Sequence, residues 1–202
     1  MPLETAFCFD LDGTLTKQEI LPLLAKEVGL AEEMSALTMA TMQGVLPFQQ
    51  SFRLRVRLLS EISLKRAQEI VATVPLYALT SDFIRAHSKQ CFVITGNLDV
   101  WVSGLMERIA CPAITAKAEI EGDCLRGVSH FIDKGEAVRK IKKDFEKVVI
   151  IGDGMNDVPM FEQGDVKIAF GGTHPPIDTL IKMADYVTYH ERGLCCLLDT
   201  LL

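Results

Sequence analysis

Ala6-Phe7-Cys8-Phe9-Asp10-Leu11-Asp12-Gly13-Thr14-Leu15 is the stretch whose reading decides the fold. Its apolar run, Ala6 to Phe9, reads as a buried strand. Two carboxylates follow, two residues apart, and Gly13 breaks the strand. In an extended chain Asp10 and Asp12 would point to one side. The turn at Gly13 lets them diverge around a single point in space. Two acids held there repel unless a cation or a proton lies between them. That is the arrangement of a metal site with a carboxylate nucleophile and an adjacent acid/base. A surface turn accounts for the same residues when they are taken alone.

A second acidic strand end changes the weighing. Val148-Val149-Ile150-Ile151 is another β-branched run, and it ends in Gly152-Asp153-Gly154-Met155-Asn156-Asp157. In open parallel α/β sheets, ligands bind at the carboxyl ends of the strands. Further strands are expected at about 90–95, 112–116, 166–170 and 185–188. Helical patterns fall between most of them, at about 79–88, 98–109, 134–144, 156–163, 174–184 and 191–201. The expected class is therefore α/β, a Rossmann-like, mainly parallel sheet flanked by helices. Residues 117–130 read as a hairpin turning at Gly122-Asp123. Between the first two core strands the patterns at 17–28, 31–43, 47–60 and 64–72 are helical, punctuated by Gly29, Gly44 and Pro75. That segment is too long for a crossover. It reads as an inserted all-helical cap, residues 16–75, on a core formed by 1–15 and 76–202, placed to exclude water and supply substrate contacts.

The chain has 202 residues, 49% of them apolar, and a formal net charge of -6. The acidic balance argues against general nucleic-acid binding. The six cysteines show no metal-ligand spacing and read as reduced thiols of a cytoplasmic protein. No apolar run reaches membrane-spanning length, and the start of the chain carries no signal-like segment. A monomer or a homodimer is expected.

Other candidates carry two readings each. Thr95-Gly96-Asn97 follows the apolar run Phe92-Val93-Ile94. It suits an anion, but an ordinary helix cap, with Asn97 as N-cap before Leu98, is the simpler reading. Lys134 opens a helix against the helix dipole. It either serves a bound anion or is solvated and paired with Asp133 or Glu136. Arg53, Arg55 and Arg57 cannot share one helix face, so at most one or two point inward. Met42 and Phe48 read as packing of the cap. Glu19 is either a helix N-terminal charge or the reader of a cationic group. Trp101, His87, His130, His174 and His190 form no spaced cluster and read as structural or surface residues. His174-Pro175-Pro176 reads as a helix entry.

Taken in order, Asp10-x-Asp12-x-Thr14, Thr95-Gly96, Lys134 and Gly152-Asp153-Gly154-x-Asn156-Asp157 resemble the four motifs of the haloacid dehalogenase superfamily. The helical insert is similar to the cap of its phosphoserine phosphatase branch. Within that branch, Lys17-Gln18-Glu19 places a Glu where the family receives a substrate ammonium group. The stretch from Met42 to Val56 resembles the family's M-x-G-x-x-x-F-x-x-S-x-x-x-R segment. The resemblance implies that Arg55 binds a substrate carboxylate, with Met42 and Phe48 walling the pocket. Thr95-Gly96-Asn97 departs from the usual Ser-Gly-Gly, and Val74-Pro75-Leu76-Tyr77-Ala78 lacks the usual Gly after Pro. The extra amide of Asn97 occupies space near the phosphate pocket or its rim.

The resemblance implies a phosphomonoesterase acting through an aspartyl-phosphate on phosphoserine or a similar small phosphorylated metabolite. Asp10 is the expected nucleophile and Asp12 the expected acid/base. Mg²⁺ is the expected ion, held by Asp10, the Asp12 backbone carbonyl and Asp153, with Asp157 in support. Thr95 and Lys134, helped by the backbone at Leu11 and Gly96, are expected to neutralise phosphoryl oxygens. Asn156 would orient phosphate or the nucleophile. Rival readings are a phosphatase or phosphotransferase for another small metabolite, a cation-binding module without catalysis, and dehalogenation at carbon. Cation binding alone needs no Lys134, and halide displacement needs no proton from Asp12.

Overall fold

The central strands of this protein read as unbroken apolar runs because both faces of the sheet are covered there. A computed structural model describes residues 3–42 and 45–202, with the side chains of all of these except 3, 4 and 42. The central strand β1 (Leu3–Phe9) lies between β2 (Cys91–Leu98) and β5 (Phe145–Gly152), both parallel to it. Outward from β2 come β3 (Ala113–Glu121) and β4 (Cys124–His130), an antiparallel hairpin. Outward from β5 come β6 (Val166–Phe170) and β7 (Tyr186–Thr188), both parallel. The order is β4-β3-β2-β1-β5-β6-β7. Phe7 and Phe9 join one core layer and Ala6 and Cys8 the other, so alternate side chains of β1 anchor opposite sides of the sheet.

Five helices follow β1 before the chain returns to the sheet, and the first four lie within residues 16–75: α1 (Ile20–Glu27), α2 (Ala31–Met42), α3 (Phe48–Leu59) and α4 (Leu64–Ala72). Each described buried face has helical spacing, as in Ile20, Leu21, Leu24 and Ala25 of α1 or Ser51, Phe52, Val56 and Leu59 of α3. Phe52 is the largest side chain that α3 buries. Truncating it to Ala would cost about 3–5 kcal/mol. Ser63 caps α4 by accepting a bond from the Arg66 N–H. The strands of chain entering and leaving this insert are paired: Lys17 N–H donates to Pro75 O (2.8 Å) and Tyr77 N–H to Leu15 O (3.0 Å). The remaining helices are α5 (Ala78–Ala86), α6 (Asp99–Ile109), α7 (Lys134–Ile141), α8 (Val158–Phe161), α9 (Asp178–Met183) and α10 (Glu191–Leu201).

Two local expectations are corrected. Asn97 does not cap a helix. A register shift between Thr95 and Leu98 lets β2 continue past Gly96, and α6 starts at Asp99. His174-Pro175-Pro176 does not enter a helix either, since α9 begins at Asp178 behind Ile177. Among the described residues no helix is long and apolar enough to cross a membrane.

Candidate active site at the carboxyl edge of the sheet

β1 is the strand from which the chain runs outward in both directions, so the space beyond its carboxyl end is open to ligands. Phe9 pairs with Val93 on one side and with Ile151 on the other. Asp10, Thr95 and Asp153 therefore emerge at the same edge. Asp10 N–H donates to Ile151 O at 2.9 Å, which ties the two acidic strand ends together.

Asp10, Asp153 and Asp157 are all buried, and each offers an oxygen within 4.8 Å of the others'. Lys134, also buried, donates to Asp10 Oδ1 and, at 2.7 Å, to Asp157 Oδ1. It is not the solvated alternative paired with Asp133 or Glu136. Asp133 instead caps α7 by accepting from the Glu136 N–H at 2.9 Å. Asp157 Oδ2 accepts from the Asp153 and Gly154 N–H groups, both at 3.0 Å. With both its oxygens engaged, Asp157 orients Lys134 and the Asp153 loop. Gly152 makes that loop feasible, because a Cβ there would come within 2.6 Å of Asp157 Oδ2.

Burial pushes the Asp10 carboxyl well above its usual range, with Asp157 and Asp153 adding to the shift and Lys134 opposing it. Burial also raises Asp153, with His174 and Thr14 opposing. For Lys134, burial works against the charged form, but Asp10 and Asp157 outweigh it and hold the ammonium above its ordinary value. Three buried carboxyls share a single ammonium, that of Lys134. Their all-oxygen donor set fits a hard divalent cation.

Asp12 leaves the line of β1 in the turn and accepts a bond from the Ile20 N–H at 2.8 Å, at the start of α1. It is half-buried. Burial raises its carboxyl well above the normal range, and Glu19 and Asp10 raise it further. A carboxyl whose acid form is favoured in this way is suited to donate a proton. Thr95 Oγ1 accepts from the Asn97 N–H (3.1 Å) and Nδ2 (3.3 Å), so the departing residue of this motif braces Thr95 from within the strand.

A cavity of about 350 Å³ opens between this edge and α3, lined by Gly96, Lys134 and Asn156 from the core and Phe48 from the insert. Phe48 reaches close to Gly96 and stacks on Phe52. Arg55 is the half-buried member of its arginine set, whereas Arg53 and Arg57 are exposed. Its guanidinium donates to Ser51 Oγ (3.1 Å) and Thr41 Oγ1 (3.2 Å). Burial lowers its pKa and the charge of Glu19 offsets part of that. Arg53 lies over the Phe131 ring instead. Met42 closes α2, but its side chain, with Gln43 and Gly44 of the same segment, lies outside the described residues.

Sequence reasoning missed His174. It is not a plain surface residue: its Nε2 lies 2.9 Å from Glu19 Oε1 and 3.0 Å from Asp153 Oδ2. Hydrogen bonds to Asp153 and Glu19 push its pKa up to about 11. Gly13, at φ +83°, passes beneath this group, where a Cβ would meet Asp153 Oδ2 and His174 Nε2 at 2.9 Å. The missed signal was positional. His174 follows β6 at the same carboxyl edge as the two acidic motifs. Thr14, whose hydroxyl donates to Asp153 Oδ1, was read only as part of a pattern.

Comparison with known proteins matches residues 7–162 to the haloacid dehalogenase-like hydrolase family. A phosphoserine phosphatase of Methanocaldococcus jannaschii is 30% identical over 175 residues, covering 80% of this chain and 83% of that protein. The phosphoserine phosphatase of Homo sapiens is 28% identical over 185 residues, covering 83% of this chain and 81% of that protein. A solved structure described as a phospho-aspartyl intermediate analogue of phosphoserine phosphatase superposes with a TM-score of 0.82 at 26% identity, covering 98% of this chain and 99% of that one.

Proposed function

This chain belongs to the haloacid dehalogenase-like hydrolase family, and from that footing we propose that it is a Mg²⁺-dependent phosphomonoesterase acting on phosphoserine or a closely similar amino-acid phosphate. The observation that carries the reading is the pairing of Asp10 with buried Lys134 beside Asp153, at the end of two adjacent strands.

Lys134 fixes the orientation of the Asp10 carboxylate. That carboxylate bonds to phosphorus as the ester oxygen leaves, giving an aspartyl-phosphate. Asp12 gives its proton to the leaving alkoxide. It then takes a proton from the water that attacks the aspartyl-phosphate, which frees phosphate and restores Asp10. Asp10, Asp153 and the Asp12 backbone carbonyl would hold the Mg²⁺, which when bound supplies positive charge to the phosphoryl oxygens. Thr95, Lys134 and the N–H groups at Leu11 and Gly96 supply further positive charge there. Asn156 orients the phosphate from the cavity wall. Residues 16–75 act as a cap over the core, with Arg55 taking the substrate carboxylate and Glu19 its ammonium group. Met42 and Phe48 wall the pocket.

The test is phosphate release from phosphoserine and from a panel of small phosphate esters, with Mg²⁺ and with a chelator. Phosphoserine should rank among the best substrates, and both chelation and Asp10→Asn should abolish its turnover. Metal-independent turnover, or hydrolysis of no ester in the panel, contradicts the reading.

A further inference from the structure

Glu19 lies where two demands meet. Its carboxylate sits near Asp12 on one side and bears electrostatically on Arg55 of α3 on the other. Its charge thus acts on both the proposed acid/base and the proposed carboxylate reader. The same carboxylate is engaged by His174, whose Nε2 faces Glu19 Oε1 at 2.9 Å and Asp153 Oδ2 at 3.0 Å. Both partners are carboxylates, so the ring nitrogen can only donate to them. The ring's Nδ1 faces the carbonyl of Pro175 at 3.3 Å, again an acceptor.

The segment carrying His174 is clamped on both sides of it. Thr173 Oγ1 donates to Thr16 O at 2.9 Å and lies 3.1 Å from the Tyr77 hydroxyl, while Ile177 N–H donates to Asp153 O at 3.1 Å. His174 is therefore held against Glu19 by the fold, with a donor where a substrate ammonium group would bind.

We infer that His174 is a specificity-determining residue: by engaging Glu19, its ring competes with a substrate ammonium group and weakens the preference of this pocket for amino-bearing phosphate esters over those lacking the amino group. The inference deepens the proposed function and rests on it. A phosphoserine ammonium group must displace the ring from Glu19 or share the carboxylate with it. An ester without the amino group leaves the His174–Glu19 pair intact.

The experiment compares kcat/KM for phosphoserine with that for 3-phosphooxypropionate, the same ester without its ammonium group, at saturating Mg²⁺. His174→Ala should raise the ratio of the two about tenfold, the scale of one charge-assisted hydrogen bond released to the substrate. His174→Gln, which retains a neutral donor, should fall between it and the wild type and covers the case in which the alanine variant folds poorly. In a Glu19→Gln background the effect of His174→Ala on the ratio should vanish, an outcome that a purely structural role does not produce. An unchanged or lowered ratio in the single variants, or an equal rise in the Glu19→Gln background, overturns the inference while leaving the phosphatase reading intact. Hydrolysis of neither ester by the wild type overturns both.

Discussion

The carboxyl edge of the sheet and α3 of the helical insert border the same cavity but are built differently. At the sheet edge Asp10, Lys134, Asp153 and Asp157 are almost wholly buried, and each is fixed by at least one partner on a different segment. On the insert side Phe48 is 41% exposed and Arg55 only half-buried, and the bonds of Arg55 go to Ser51 of its own helix and Thr41 of α2. Groups that must act on a phosphoryl centre need fixed positions and a dry setting. Groups that choose among substrates can sit on a more exposed element. Under the proposed function, chemistry falls to the sheet edge and selection to the insert.

The largest effect that could break this division is at Lys134. Lys134→Ala should lower kcat for every substrate by about 10²- to 10³-fold, since it removes a cation aimed at the phosphoryl oxygens. It also leaves Asp10 and Asp157 buried without their shared partner, which costs about 3–5 kcal/mol in folding. Kinetics on folded material, with thermal melting alongside, separate the two effects. A loss confined to phosphoserine would place Lys134 in selection and dissolve the contrast.

Arg55→Ala should act the other way. Phosphoserine turnover should fall about 10- to 100-fold, mostly in KM, as the substrate carboxylate loses its guanidinium partner. An aryl phosphate, which has no carboxylate, should lose no more than a few-fold. Equal losses on both substrates would show that the insert takes part in the chemistry itself.

A smaller effect sharpens the electrostatic side. In metal-free protein Asp10, Asp12 and Asp153 have folded pKa values raised above the unfolded value of about 3.9. The folded chain then holds protons that the unfolded chain releases. This contribution to stability is complete below that unfolded value and is lost as pH rises through the folded values. Melting temperature without metal should therefore fall across that range, by about 2–4 °C for each kcal/mol lost. Mg²⁺ should restore stability at the high-pH end, because it replaces the protons as counter-charge. Calorimetry across pH, with and without Mg²⁺, checks both the slope and its reversal.

The two regions also differed in how far they could be read from sequence. Both acidic strand ends were legible because a parallel strand buried on both faces must be a continuous apolar run, as Ala6–Phe9 and Val148–Ile151 are. The helices of the insert were legible from their apolar spacing. The direction of Arg55 was not, since helical spacing alone left three arginines open, and the resemblance to a family segment made the choice. Asn97 was misread because a register shift in β2, invisible to local pattern, carries the strand past Gly96. His174 was missed because its role arises from contacts with Glu19 and Asp153, 155 and 21 positions earlier in the chain. Single residues outside a motif announce nothing by their spacing.

The central claim is that Asp10 carries the phosphoryl group between substrate and water. Asp12→Asn removes the base that would activate water, while an aryl phosphate has a leaving group that needs no protonation. Mixing that variant with an aryl phosphate should release about one equivalent of phenol per protein chain, with the phosphoryl group retained on the peptide containing Asp10, as read by mass spectrometry after acid quench. Stoichiometric phenol release with phosphate free in solution and no phosphorylated Asp10, or with the label on another residue, would contradict the account.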